Sequence, residues 1–153
     1  MPHHTQLEIL LADDNPGDVR MVAEGLKDTL PAARLSVASD GAEAIQFLRR
    51  KGKFAGAPRP DLILLDLRLP KRNGFEVLRA VREDPFLTGV PVVIQSSSAA
   101  PADVNKAYNM HANCFITKSA DLDEFARVMR ILVEFWITVA KLPEGEQNGR
   151  WNR

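Results

Sequence analysis

Short runs of Leu, Ile and Val alternate along the chain with longer stretches whose apolar residues recur at helical spacing. Runs at residues 7–12, 34–38, 62–65, 90–95 and 113–117 are strand-length and bounded by polar or turn residues. The first helix is predicted from Asn15-Pro16, a capping residue followed by proline at the first helical position, to about Leu30, where Pro31 stops it. The second follows Asp40-Gly41 and ends near Gly52; the third runs from about Gly74 to before Pro85. A fourth starts near Pro101, and a fifth spans about 121–142, closed by Pro143. Five strands alternating with five helices predict an α/β fold with a parallel sheet covered on both faces. Right-handed crossovers favour a doubly wound layout with strand order 2-1-3-4-5. Residues 51–60 read as a surface loop, 1–6 as a terminal tip, 7–142 as one domain and 143–153 as a polar, mobile tail.

Composition narrows the class. A chain of 153 residues, 45% hydrophobic, is long enough for one domain with a proper core. Twenty basic residues balance twenty acidic ones, so no general attraction to nucleic acid or an anionic membrane is expected. The single Cys114 excludes an internal disulfide and fits a reducing compartment. The start "MPHHTQLEILLADD" lacks the cationic and cleavage features of a secretion signal. The apolar stretch "ILVEFWITVA" is too short to span a bilayer and carries Glu134. The expected location is cytoplasmic.

The apolar runs end in a consistent way. The first ends in Asp13-Asp14, the third in Asp66, the fourth in Ser96 and the fifth in Lys118. In an open parallel sheet the strand carboxyl ends share one edge, where ligands bind. Singly, these residues read as a helix cap, a turn acid, a turn serine and a solvated lysine. Jointly they place three carboxylates, a hydroxyl and an ammonium at one small site. Neighbouring carboxylates repel unless a cation joins them. A hard cation suits oxygen ligands, and Mg²⁺ leaves room for a phosphate oxygen; the absence of His and Cys argues against zinc. A metal-bound carboxylate can attack phosphorus to form an acyl phosphate, with Lys118 and the metal stabilising the transferred group.

This ordered set, together with "LPKRNG" after Asp66, resembles a response-regulator receiver domain, the flavodoxin-like receiver fold, over residues 7 to about 142. The resemblance implies that Asp66 is the phosphoacceptor and that a sensor histidine kinase is the donor. It implies Mg²⁺ held by Asp13, Asp14, Asp66 and the backbone carbonyl of Arg68, with Ser96 and Lys118 sensing the phosphoryl group. Phe115 stands where the family places its aromatic switch; plain core packing is the alternative reading. "DDNPGD", "FAGAPRPDLILLDLRLPKRNG", "ITKSADL" and the later "FW…LP" are similar to single-domain regulators paired with phytochrome kinases. Ser96 replaces a common threonine, and Ser119 replaces the proline that usually follows the lysine. Arg68, two positions past the acceptor, is expected to alter the phosphate lifetime.

The sequence carries no DNA-binding module, so output is expected through a protein surface: a downstream phosphotransfer protein or self-association. On the fifth helix, Leu122, Phe125, Met129, Leu132 and Trp136 are predicted to face the sheet. Val128, Ile131, Phe135, Val139 and Leu142 form a second apolar stripe, read as a homodimer interface with helix 4 and strand 5, beside Cys114 and Phe115. Three alternatives stay open. A Mg²⁺-dependent phosphatase would need an acid two positions past its nucleophile, where this chain has Arg68. A flavin module would need a phosphate-cradling loop where this chain is acidic. A receiver that only binds, without phosphorylation, is the third.

Overall fold

The computed structural model describes residues 6–27 and 33–143. The predicted end of the first helix, most of the terminal tip, and the tail from Glu144 lie outside the described residues. The strands are β1 (Leu7–Ala12), β2 (Ala33–Ala38), β3 (Leu62–Asp66), β4 (Val92–Ser96) and β5 (Cys114–Thr117). They form one parallel sheet in the order β2-β1-β3-β4-β5, as the alternating pattern predicted. The helices are α1 (Pro16–Leu26), α2 (Gly41–Arg49), α3 (Gly74–Glu83), α4 (Pro101–Asn109) and α5 (Leu122–Glu134).

Two apolar layers sandwich the sheet. Leu10, Ile63, Leu65, Val92 and Ile94 face α2, α3 and α4, whereas Ile9, Leu11, Leu62, Leu64 and Val93 face α1 and α5. The strict alternation is the two-residue period of a strand buried on both sides. α1 and α5 pack with almost no gap: a Cβ on Gly25 would lie 3.0 Å from the Ala126 carbonyl. Residues 51–60 are more than a loop. They contain a 3-10 turn (Gly52–Phe54), and the Phe54 ring meets Phe47 edge-on at 5.4 Å.

The last helix departs most from expectation. Regular α geometry stops at Glu134 rather than Leu142, and Phe135–Val139 form a π turn. Ala140 N–H donates to the Phe135 carbonyl at 2.9 Å, and Thr138 Oγ1 donates to the Glu134 carbonyl at 2.6 Å, drawing the chain out of the α register. A π turn inserts residues into the helical period, so a stripe drawn at 3.6 residues per turn loses phase beyond it. Leu122, predicted to face the sheet, is 60% exposed at the helix start, ahead of the π turn, while Val133 is buried. Val128 and Leu142, assigned to the outer stripe, are half-buried and pack on the α1/α5 layer. Ile131, Phe135 and Val139 are exposed as predicted.

Candidate functional site

β1, β3, β4 and β5 are successive neighbours, so their carboxyl ends meet on one edge. Strand alternation then selects the face. Asp13, Asp66 and Lys118 each follow by two a residue of the α1/α5 layer: Leu11, Leu64 and Ile116. All three side chains therefore emerge on the same side of the sheet.

Local hydrogen bonds fix each group. Asp13 N–H donates to the Ala38 carbonyl at 3.0 Å, and Asp13 Oδ1 accepts from Asn15 N–H at 2.9 Å. Asn15 in turn caps α1, its Oδ1 accepting from the N–H groups of Gly17 at 2.8 Å and Asp18 at 3.1 Å. That cap sets Asp18 in the first helical turn beside the strand ends. Asp66 Oδ1 accepts from Arg68 N–H at 3.0 Å. α3 starts hard against the end of β3, since a Cβ on Gly74 would lie 2.6 Å from the Asp66 carbonyl. Lys118 prolongs the β4–β5 pairing by donating its N–H to the Ser96 carbonyl at 2.7 Å.

These anchors converge on one ammonium. Lys118 Nζ donates to Asp18 Oδ2 at 2.6 Å, Asp66 Oδ2 at 2.9 Å and Asp13 Oδ2 at 3.0 Å. Burial pushes the Asp13 carboxyl up to about 6, against the opposing pull of the Asn15 N–H and of Lys118. Burial alone would lower Lys118, but hydrogen bonds to Asp18, Asp66 and Asp13 outweigh it and hold the ammonium above the usual lysine range. Oxygens of Asp13, Asp18 and Asp66 lie within 4.8 Å of one another. Ionised together, three carboxylates facing one ammonium keep a net negative charge. An all-oxygen donor set with that charge suits a hard divalent cation such as Mg²⁺.

The predicted residues fall out unevenly. Asp13, Asp66 and Lys118 meet as expected. Asp14 is exposed and lines the open cleft of about 450 Å³ above them, with Arg68, Ser97 and Ser119, while Asp18 stands in the carboxylate cluster. Ser96 is buried at the end of β4, its Oγ accepting from Ser98 N–H at 3.2 Å. Phe115 is half-buried against the α2–α4 layer, and its N–H donates to Tyr108 Oη at 3.1 Å. Two residues of this region escaped the sequence reading. Asp18 was visible as the acid three positions after the cap Asn15, where it reads as an ordinary first-turn acid. Gln95, register partner of Asp66, is wholly buried, and neither amide atom is hydrogen-bonded among the described residues. A lone Gln in "VVIQS" gives no hint of that.

Three carboxylates gathered on one lysine at the carboxyl edge of a doubly wound parallel sheet are the arrangement this fold presents. The response regulator receiver domain model matches residues 9–130, and the chain belongs to that family. It is 39% identical to the response regulator Rcp1 of Synechocystis sp., over 88% of this chain and 92% of that protein. Among solved structures, the phosphorylated cyanobacterial phytochrome response regulator RcpA superposes with a TM-score of 0.88 at 42% identity, covering 91% of this chain and 99% of that one. The Mn²⁺-bound form of Rcp1 superposes with a TM-score of 0.85 at 39% identity, covering 89% and 98% respectively. No helix among the described residues is long and apolar enough to cross a membrane.

Proposed function

We propose that this chain is a single-domain switch of a two-component phosphorelay, phosphorylated on Asp66 by a histidine kinase. The observation that carries the reading is the Lys118 ammonium held within 3.0 Å of both Asp66 and Asp13 at the sheet edge. In the transfer, an Asp66 oxygen attacks the phosphorus of a phosphohistidine. The P–O bond forms as the P–N bond breaks, and the electron pair leaves on the imidazole nitrogen. Asp13 and Asp66, with Asp14 and the Arg68 carbonyl beside them, would hold Mg²⁺, which supplies charge neutralisation for the phosphoryl oxygens. Lys118 donates to a phosphoryl oxygen, and the Ser96 hydroxyl supplies a second donor. Arg68, exposed at the cleft, covers the group from outside. The protein acts on its own carboxylate rather than turning over a substrate.

The kinase is a phytochrome in this reading, supported by the likeness to the phytochrome response regulator RcpA. The signal leaves through α4, β5 and α5. Exposed Ile131, Phe135 and Val139 form the centre of a twofold homodimer contact, and Phe115 on β5 couples it to the site. A downstream phosphotransfer protein is the other recipient this face would serve. The decisive test is intact mass after incubation with acetyl phosphate. The expected result is one added phosphoryl group on the wild type, dependent on Mg²⁺ and absent in Asp66→Asn. An adduct that persists in Asp66→Asn would move the acceptor elsewhere.

A further inference from the structure

We propose that Asp18 is a positioning residue that holds the Lys118 ammonium over the acceptor in both the resting and the phosphorylated site. The inference rests on the phosphoacceptor reading of Asp66. Lysine has three N–H donors, and Lys118 spends them on three carboxylates. Those carboxylates are not equivalent. Asp13 Oδ1 is committed to Asn15 N–H and Asp66 Oδ1 to Arg68 N–H, and the remaining Asp66 oxygen is the one free to attack. Once Asp66 is esterified and Asp13 is engaged by the cation, Lys118 loses two of its partners. The Asp18 carboxylate, on the helix rather than a strand end, accepts among the described residues from Lys118 alone, over the shortest of the three contacts, 2.6 Å.

Placement favours the same role. Asp18 is carried by the first turn of α1, which Asn15 pins through two hydrogen bonds, so its oxygen stays put while the strand-end acids change partners. Lys118 reaches the site on a flexible four-carbon chain from β5, and its ammonium borders the open cleft. Without Asp18 the phosphoryl oxygen alone is left to hold that ammonium against water once the other two carboxylates release it. Asp18 thus acts through Lys118 and does not touch the phosphoryl group.

The test compares full-length wild type with Asp18→Asn, and with Asp18→Ser where the first variant fails to fold. In the metal-free protein, ¹⁵N NMR of the Lys118 ammonium reads its protection from solvent exchange, which is expected to fall in the variant. Calorimetric titration with Mg²⁺ is expected to stay within about twofold of wild type, while phosphorylation by acetyl phosphate slows about threefold to tenfold, the size of a partly exposed charge pair. Unchanged protection, or an unchanged rate, overturns the proposal. A loss of Mg²⁺ affinity of about tenfold or more also overturns it, by making Asp18 a metal ligand. If wild type itself takes no phosphoryl group, the acceptor reading fails, and the ammonium protection alone decides the resting-state contact.

Discussion

β3 and β5 each lead one charged group, Asp66 and Lys118, to the site, and they are built in opposite ways. β3 carries Asp66 and is buried at all five positions, flanked by β1 and β4 and covered on both faces. β5 carries the segment leading to Lys118, lies at the sheet edge, and has three half-buried positions and one exposed. A nucleophilic carboxylate must keep its geometry, and a fully packed central strand gives it that. On the proposed function the lysine would exchange partners when Asp66 is phosphorylated, and a lightly packed edge strand leaves it room. In the proposed function, the contrast would separate the half of the site that holds the phosphoryl group from the half that reports it. Besides its ladder with β4, β5 is held by Asn113 at its start, Lys118 at its finish, and Tyr108 Oη, which accepts from the Phe115 N–H between them.

Matched truncations should expose this difference most strongly. Leu64 is 0% exposed in β3, so Leu64→Ala should cost about 3–4 kcal/mol, measured by urea unfolding. Ile116→Ala, at a half-buried position on the same sheet face, should cost about half as much or less. Equal losses would mean that β5 is packed as firmly as β3, and the division of labour would not hold. Next in size is Arg82, whose half-buried guanidinium donates to the carbonyls of His111, Thr88 and Val90 and to Asn113 Oδ1, at 2.8–3.0 Å. It clamps α3 to the start of β5. Arg82→Ala should cost about 2 kcal/mol by leaving those acceptors unpaired, and amide exchange should quicken in β5 more than in β3.

This contrast was only partly legible in the sequence. Periodicity read the strands, their order and the sheet edge correctly, because a parallel sheet buried on both sides demands unbroken aliphatic runs such as "LILLD". Asp13, Asp66 and Lys118 were legible because each ends such a run, where a charge is costly unless it works. Asp18 was not, because an acid in a first helical turn has an ordinary explanation, and its contact with Lys118 spans a hundred residues of chain. The outer stripe of the last helix was misdrawn at Val128 and Leu142. Leu142 lies beyond a π turn that no local pattern announces, and helical phase cannot be carried across one; Val128 lies before it and is half-buried against the α1/α5 layer.

Gln95 gives the smallest effect and the sharpest probe of the boundary between the two halves. It lies in β4, paired in register with Asp66 of β3 on one side and Ile116 of β5 on the other, so all three side chains share a face. Its amide is 0% exposed and neither its oxygen nor its nitrogen has a hydrogen-bond partner among the described residues. An unpaired buried amide loses its hydration without recompense, whereas leucine fills a similar volume without polar atoms. Gln95→Leu should therefore stabilise the protein by about 1 kcal/mol, raising the melting temperature by roughly 2–4 °C. Destabilisation instead would show that the amide has a partner, such as an ordered water reaching toward Asp66. The strand between the rigid and the adaptable halves would then link them by hydrogen bonds rather than by packing alone.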